Sequence, residues 1–310
     1  MSEDDDRTAS LMTPAKLAQL KVRPAVAASP AAWLDQMASD AGSGHVRRLA
    51  ELRAQVEAQL RQDPVAAFAT AGDTLAQAVD GIDLAQVQPK GWLARATGKG
   101  KEAAAGFTAQ ADRAQHAAED LADETRSLQR RLPADGTTLD RSLVEMDVEV
   151  RAIEKIMDQG ARWLQDMRNQ LKSRQAAGGD FAAQQQIRED TARCELLVTR
   201  LKVLRAVVSA IQEALGHCKA LPARRTALLE AAPKVLEGPA QRWRKKLSPI
   251  VDQATATGAA TEGVEKAGEA QQALQAALRQ LAQEYDALRQ QQQSAADALA
   301  AADAPLQAAA

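Results

Sequence analysis

The sequence predicts an all-α fold, an elongated helical bundle built on a long antiparallel coiled-coil hairpin. Three observations carry that expectation. Across residues 143–171, Leu143, Met146, Val150, Ile153, Met157, Gly160, Leu164, Met167 and Leu171 recur at gaps of 3 and 4 in strict alternation. That spacing keeps a stripe facing a partner helix over several turns. A second stripe follows in Ile187, Cys194, Leu197, Leu201, Leu204, Val208, Ile211, Leu215 and Cys218. Residues 176–180 lie between them and contain two glycines, so the two stripes read as one hairpin over 139–218. Alanine, glutamine, leucine, arginine and glutamate dominate the composition, and β-branched runs of period two are absent. Helix is therefore favoured and no sheet is expected.

The 310 residues suffice for one large core or two modest domains. The expected division is a disordered tail over 1–30, a helical bundle over 31–256, and a linker with a C-terminal helix and low-complexity tail over 257–310. The tail is polar, rich in alanine and interrupted by Pro14, Pro24 and Pro30. A short helix carrying Trp33, Leu34 and Met37 should start at Ser29-Pro30. A helix over 46–62 should turn Val46, Leu49, Leu52, Val56 and Leu60 inward. Asp63-Pro64 signals a restart, and the next helix carries Val65, Phe68, Leu75 and Val79 until Asp80-Gly81.

Residues 81–107 are the least regular internal stretch, with Trp92 expected in the core beside a basic loop from Arg95 to Lys101. A weaker helical pattern marked by Phe107, Leu121 and Leu128 should end in a turn at Pro133-Ala134-Asp135-Gly136. The hairpin follows. Val144, Val148, Ile156 and Trp163 widen its first apolar face, and Leu196, Val203 and Val207 its second, so several helices should pack there. Gly160 stands within the seam, where it either admits a close neighbour or marks a bend. Pro222 opens a further helix that Pro233 and Pro239 should divide. A basic helix begins at Pro239, with Trp243, Leu247 and Ile250 on one face and a bend expected at Pro249. Beyond a linker at 257–263, Leu274, Leu278, Leu281, Tyr285 and Leu288 form a short coiled-coil stripe suited to an intermolecular zipper. The alanine-rich tail from Ala295 should fray.

The same residues bound the function. A formal charge of −2 gives no electrostatic footprint for nucleic acid, and none is expected as a partner. No stretch is apolar enough to span a bilayer. The acidic start, Met1 to Asp6, has no apolar signal core, so a cytoplasmic protein is expected, with peripheral contact at the inner membrane left open. Cys194 and Cys218 would stand roughly 36 Å apart on one straight helix, too far for a disulfide, and both fall on the apolar seam. His45, His116 and His217 lie in separate segments, with no His-Glu-x-x-His or Cys-x-x-Cys pattern. His217 and Cys218 are neighbours on a helix and point about 100° apart, so they make no catalytic pair. Glu145, Asp147, Glu149 and Glu154 read as solvated helix charges, with Asp147 and Arg151 attracting across one turn. Gly98-Lys99 is the one echo of a phosphate loop, but no hydroxyl residue follows the lysine and no strand precedes it. No catalytic, cofactor-binding or metal-binding residue is expected, and the protein reads as a non-enzyme without cofactors. The candidate contact residues are the cations Arg242, Arg244, Lys245 and Lys246 with Trp243 among them, and Lys99 and Lys101 in the basic loop.

Several segments, in order, resemble one known family. The first is Leu132-Pro133-Ala134-Asp135-Gly136-Thr137-Thr138-Leu139-Asp140, leading into 143–157 and then 163–171. The second, after the hairpin turn, is Arg193-Cys194-Glu195-Leu196-Leu197-Val198-Thr199-Arg200-Leu201-Lys202-Val203-Leu204-Arg205. The third is Pro239-Ala240-Gln241-Arg242-Trp243-Arg244-Lys245-Lys246-Leu247. This order, covering about 121–247, resembles the toxic anion (tellurite) resistance family of the TelA/KlaA type, and the segment from Gly91 to Phe107 is similar to its Gly/basic stretch. The sequence departs from the family in placing Pro239 four residues before Trp243, and in continuing the second hairpin helix as Ala210-Ile211-Gln212-Glu213-Ala214. The resemblance implies a cytoplasmic, all-helical, non-enzymatic protein of stress resistance, a scaffold toward protein partners or the inner membrane surface. The alternatives are a self-assembling structural coiled-coil protein, forming homo-oligomers without an anion-resistance role, and a nucleotide-binding protein resting on Gly98-Lys99 alone.

Overall fold

A computed structural model describes residues 36, 40–88, 99–260 and 262–310. The expected tail over 1–30, the short helix near Trp33, and most of the basic loop, including Trp92 and Arg95, lie outside the described residues. No strand occurs among the described residues, and the fold is all-α. In chain order the helices are α1 Ser43–Leu60, α2 Ala66–Asp80, α3 Lys99–Ala177, α4 Phe181–Cys218, α5 Leu221–Val235, α6 Gln241–Thr257, α7 Val264–Ala301 and α8 Asp303–Ala309. A 3-10 turn, Leu84–Gln86, precedes α3, and a π-helical turn, Leu236–Ala240, joins α5 to α6.

The chain forms two compact units. One holds Asp158–Leu201 with the described residues before Gly42, and the other holds Gly42–Met157 and Lys202–Ala310.

In the first unit the end of α3 turns into α4 through Gly178, whose φ of 70° is left-handed and suits glycine. The Asp180 carboxylate accepts from the Ala183 N–H at 2.8 Å, capping the start of α4. Leu164, Met167 and Leu171 pack against Cys194 and Leu197, flanked by Trp163, Ile187, Val198 and Leu201. Arg174 reaches Asp190 at 2.8 Å, and Gly160 faces Leu201, so the two helices run antiparallel. Gly160 is therefore a close-approach glycine. A Cβ there would lie 3.1 Å from Leu201 Cδ2, and α3 continues through it.

In the second unit α7 is the common partner, packing against α1, α2, α5 and α6. The stripe Leu274, Leu278, Leu281, Tyr285 and Leu288 is buried within this chain, which corrects its assignment as an intermolecular zipper. Tyr285 meets Phe68 edge-on with ring centroids 6.3 Å apart, and its hydroxyl donates to Asp73. The Gln271 carboxamide donates to the Val79 and Ile82 carbonyls, closing the end of α2. All five inward residues expected in α1 are buried, as are Val65, Phe68, Leu75 and Val79 around α2.

Several local expectations change. Pro133-Ala134-Asp135-Gly136 is no turn but part of α3. An interior proline costs about 3 kcal/mol; the helix continues through Pro133 with Leu132, Gly136 and Leu139 buried on one side. The tail from Ala295 does not fray: Ala295, Ala296, Leu299, Leu306 and Ala309 are buried, and α8 packs on α1. Alanine needs little space, so a low-complexity run can seat a helix closely. The apolar faces of α3 and α4 are narrower than expected, since Val144, Val148 and Leu196 are exposed. The break between α5 and α6 falls in the π turn containing Pro239, while α5 runs through Pro233 and α6 through Pro249. In the linker after α6, Gly258 and Gly263 stand at positive φ and the Ala260 N–H donates to the Val87 carbonyl at 2.8 Å; Thr261 lies outside the described residues.

Candidate functional site

The first candidate is the basic helix α6. Trp243, Leu247, Ile250 and Ala254 bury one face of it. At 3.6 residues per turn, Arg242, Lys245 and Lys246 fall within an arc of about 100° on the remaining surface. All three are exposed, and none makes an ion pair with a described residue. Arg244 differs: its guanidinium donates to the Glu119 carboxylate of α3 at 2.7 Å. Trp243 is only 1% exposed, so its indole anchors the helix and is not presented at the surface. Its Nε1 is buried without a hydrogen-bond partner.

Lys101 is exposed near the start of α3, where it lines a groove with Ala254, Thr255 and Ala256 of the last turns of α6. The Arg242–Lys246 cluster occupies the first two turns, roughly 12–20 Å away along the axis at 1.5 Å per residue. The structure thus places the two groups at opposite ends of one helix. Lys99 opens α3, and its side chain lies outside the description.

A second site was hidden in the sequence by the turn reading of 133–136. A cavity of about 220 Å³ lies where α1, α3, α5 and α7 meet. Arg225 of α5 is 8% exposed and lines it, with its guanidinium bonded to the Asp140 carboxylate of α3. Gly136 lies beneath that guanidinium, and a Cβ there would come within 3.0 Å of Arg225 Cζ. Gln59, Gln62, Asp135, Thr138 and Gln292 complete the polar lining. One signal was present: Leu132, Gly136, Leu139 and Leu143 continue the alternating 3-and-4 stripe backwards, with glycine at a seam position.

The histidines have separate local partners. His45 Nδ1 lies 2.6 Å from Glu149 Oε2, His116 Nδ1 lies 2.7 Å from the Asp112 carbonyl, and His217 Nδ1 lies 2.9 Å from Ser294 Oγ. Among the described residues no group of three or more His, Cys, Asp or Glu is placed to hold a metal ion. Cys194 and Cys218 are free and buried. Burial pushes the Cys218 thiol up to about 11, and burial followed by the Asp190 charge raises that of Cys194. No described helix is long and apolar enough to cross a membrane.

No family model, curated protein or solved structure matches the chain.

Proposed function

We propose that the protein works by binding rather than catalysis, as a helical stress-resistance scaffold resembling the toxic anion resistance proteins. Its docking element is the first half of α6, which meets an anionic partner, either an acidic protein surface or the headgroups of the inner membrane leaflet. The supporting observation is that Arg242, Lys245 and Lys246 are exposed, and make no ion pair with any described residue, on a helix fixed by buried Trp243, Leu247 and Ile250. Arg244 is occupied by Glu119 and belongs to the support of the helix. Each free cation near an anionic membrane contributes about 1 kcal/mol, so three together give on the order of a hundredfold in affinity.

The test pairs two measurements on R242A/K245A/K246A. Co-sedimentation with anionic vesicles should fall by that factor, while the circular dichroism of the variant stays that of the wild type. A strain lacking the gene should lose tellurite survival, and the variant should fail to restore it. If deletion changes nothing and vesicle binding ignores both lipid charge and the substitutions, the reading is wrong.

Self-assembly is the second reading, favoured by Val144 and Val148, which are 64% and 57% exposed one turn apart on α3. A mass by light scattering that stays monomeric at all concentrations would remove it.

A further inference from the structure

We propose that the acidic segment Glu3-Asp4-Asp5-Asp6 of this same chain docks on the cation face of α6 and closes it until a more strongly anionic partner displaces it. The inference rests on the reading of α6 as the docking element and adds how that element is regulated. The surface is formed by Arg242, Lys245 and Lys246, which are exposed and make no ion pair with any described residue. Away from this cluster no five-residue stretch of the chain holds three lysines or arginines. Glu3-Asp4-Asp5-Asp6 is likewise the one run of four consecutive acids. In a chain of net charge −2, the two extremes of charge density are thus opposite in sign and close in number. Like would repel like at such a face, whereas an acidic run complements it.

The chain is long enough to bring the two together. Glu3 to Asp6 lie outside the described residues, so what counts is their charge and the length of chain that tethers them to α1. Asp6 stands 36 residues before Gly42, and a chain of that length spans at most about 120 Å. The gap to be crossed is read along α3. His45, near the start of α1, meets Glu149, and Arg244 of α6 meets Glu119. The helix between those two carboxylates rises about 45 Å at 1.5 Å per residue, and both pairs belong to the second unit. A tethered segment meets its target at an effective concentration on the order of a millimolar. At that concentration a contact with a Kd of about 0.1 mM is closed in about nine molecules of ten, and a competing anion binds about tenfold more weakly.

The experiment uses the full chain with a nitroxide attached through Ser2→Cys, the native Cys194 and Cys218 being buried. The backbone amide signals of residues 242–246 report its approach to α6. They should broaden at low salt and recover at about 1 M salt, where exposed charges are screened beyond about 3 Å. They should stay sharp when Glu3→Gln, Asp4→Asn, Asp5→Asn and Asp6→Asn are combined. That fourfold variant should also bind vesicles of phosphatidylcholine and phosphatidylglycerol, mixed three to one, about tenfold more tightly than the wild type. The proposal is overturned if these signals do not broaden, or if the fourfold variant broadens them equally. It is overturned as well if the broadening arises between chains when nitroxide and observed nuclei are on different molecules, or if both proteins bind the vesicles with equal affinity. Vesicles that hold neither protein count against the membrane reading of α6, and the broadening alone then decides this contact.

Discussion

Leu281→Ala is the sharpest test of how the second unit is held together. Leu281 is 2% exposed at the centre of the α7 stripe, between Leu278 and Tyr285, each 4% exposed. Truncating a fully buried leucine removes transfer free energy and leaves a cavity, together about 3–5 kcal/mol where the surroundings do not collapse. Four helices pack on α7, so collapse is resisted and the upper half of that range is expected. Against a total stability of about 5–15 kcal/mol for ordinary domains, this is a large share. The assay is guanidinium chloride unfolding followed by circular dichroism, at protein concentrations a hundredfold apart. Because the stripe is satisfied within one chain, the wild-type midpoint should not move with concentration, and the variant should lose stability equally at both. Val148→Ala, at a position 57% exposed, should change stability by no more than about 0.5 kcal/mol. A wild-type midpoint that climbs with concentration, or a Leu281→Ala cost below about 1 kcal/mol, would refute the reasoning and return the stripe to an intermolecular role.

Tyr285 is the only tyrosine, and burial, then its hydrogen bond to Asp73, raises its pKa above the ordinary 10.0. The folded state therefore keeps this proton where the unfolded state has lost it, so stability should fall as pH rises above about 10. Tyr285→Phe should flatten that part of the slope, and tyrosinate absorbance should develop only beyond the ordinary range; ionisation near pH 10 in the folded protein would contradict this. Cys218, 2% exposed with its thiol pushed up to about 11, should resist thiol reagents at neutral pH until the chain unfolds, and rapid labelling of folded protein would count against its burial. Gly136→Ala should cost about 1–3 kcal/mol by overpacking, because the Arg225 guanidinium it meets is tied to Asp140. Gly160→Ala should stay within about 1 kcal/mol of wild type, since the helix-propensity gain offsets a small movement of the free end of Leu201. Denaturation of the two variants side by side checks the order, and equal costs would disprove it.

The elements that were legible in the sequence share one property: their buried residues are large and regularly spaced. Val46, Leu49, Leu52, Val56 and Leu60 place α1, and Trp243, Leu247 and Ile250 fix which side of α6 is inward. The turn at 178–180 was legible because glycine punctuates two strong stripes. What sequence could not supply was the partner of each stripe. The α7 leucines have the spacing of a zipper whether they meet another copy or their own α1 and α2, since periodicity reports a face and not its occupant. Val144 and Val148 fail the other way, being apolar, helically spaced and exposed. The basic cluster was legible as charge, but only geometry separates Arg244, spent on Glu119, from the three cations that pair with no described residue.

Gly136 and Gly160 both occupy seam positions of the alternating 3-and-4 stripe; sequence reads the first as part of a turn and leaves the second open between a close approach and a bend. In the structure α3 runs unbroken through both. Each missing side chain makes room for a neighbour's, Arg225 over Gly136 and Leu201 over Gly160. A glycine costs an α-helix about 1 kcal/mol relative to alanine, and at these two positions another helix inserts a side chain over it. The two insertions differ in kind. Leu201 extends an apolar core of the first unit, and packing alone accounts for it. Arg225 brings a charge into the second unit, together with the carboxylate that balances it, beside a cavity where Gln59 Oε1 is buried without a hydrogen-bond partner. Packing alone would have been served more simply by a leucine over Gly136, as it is over Gly160, so this socket is where the fold carries polar chemistry that its stability does not require.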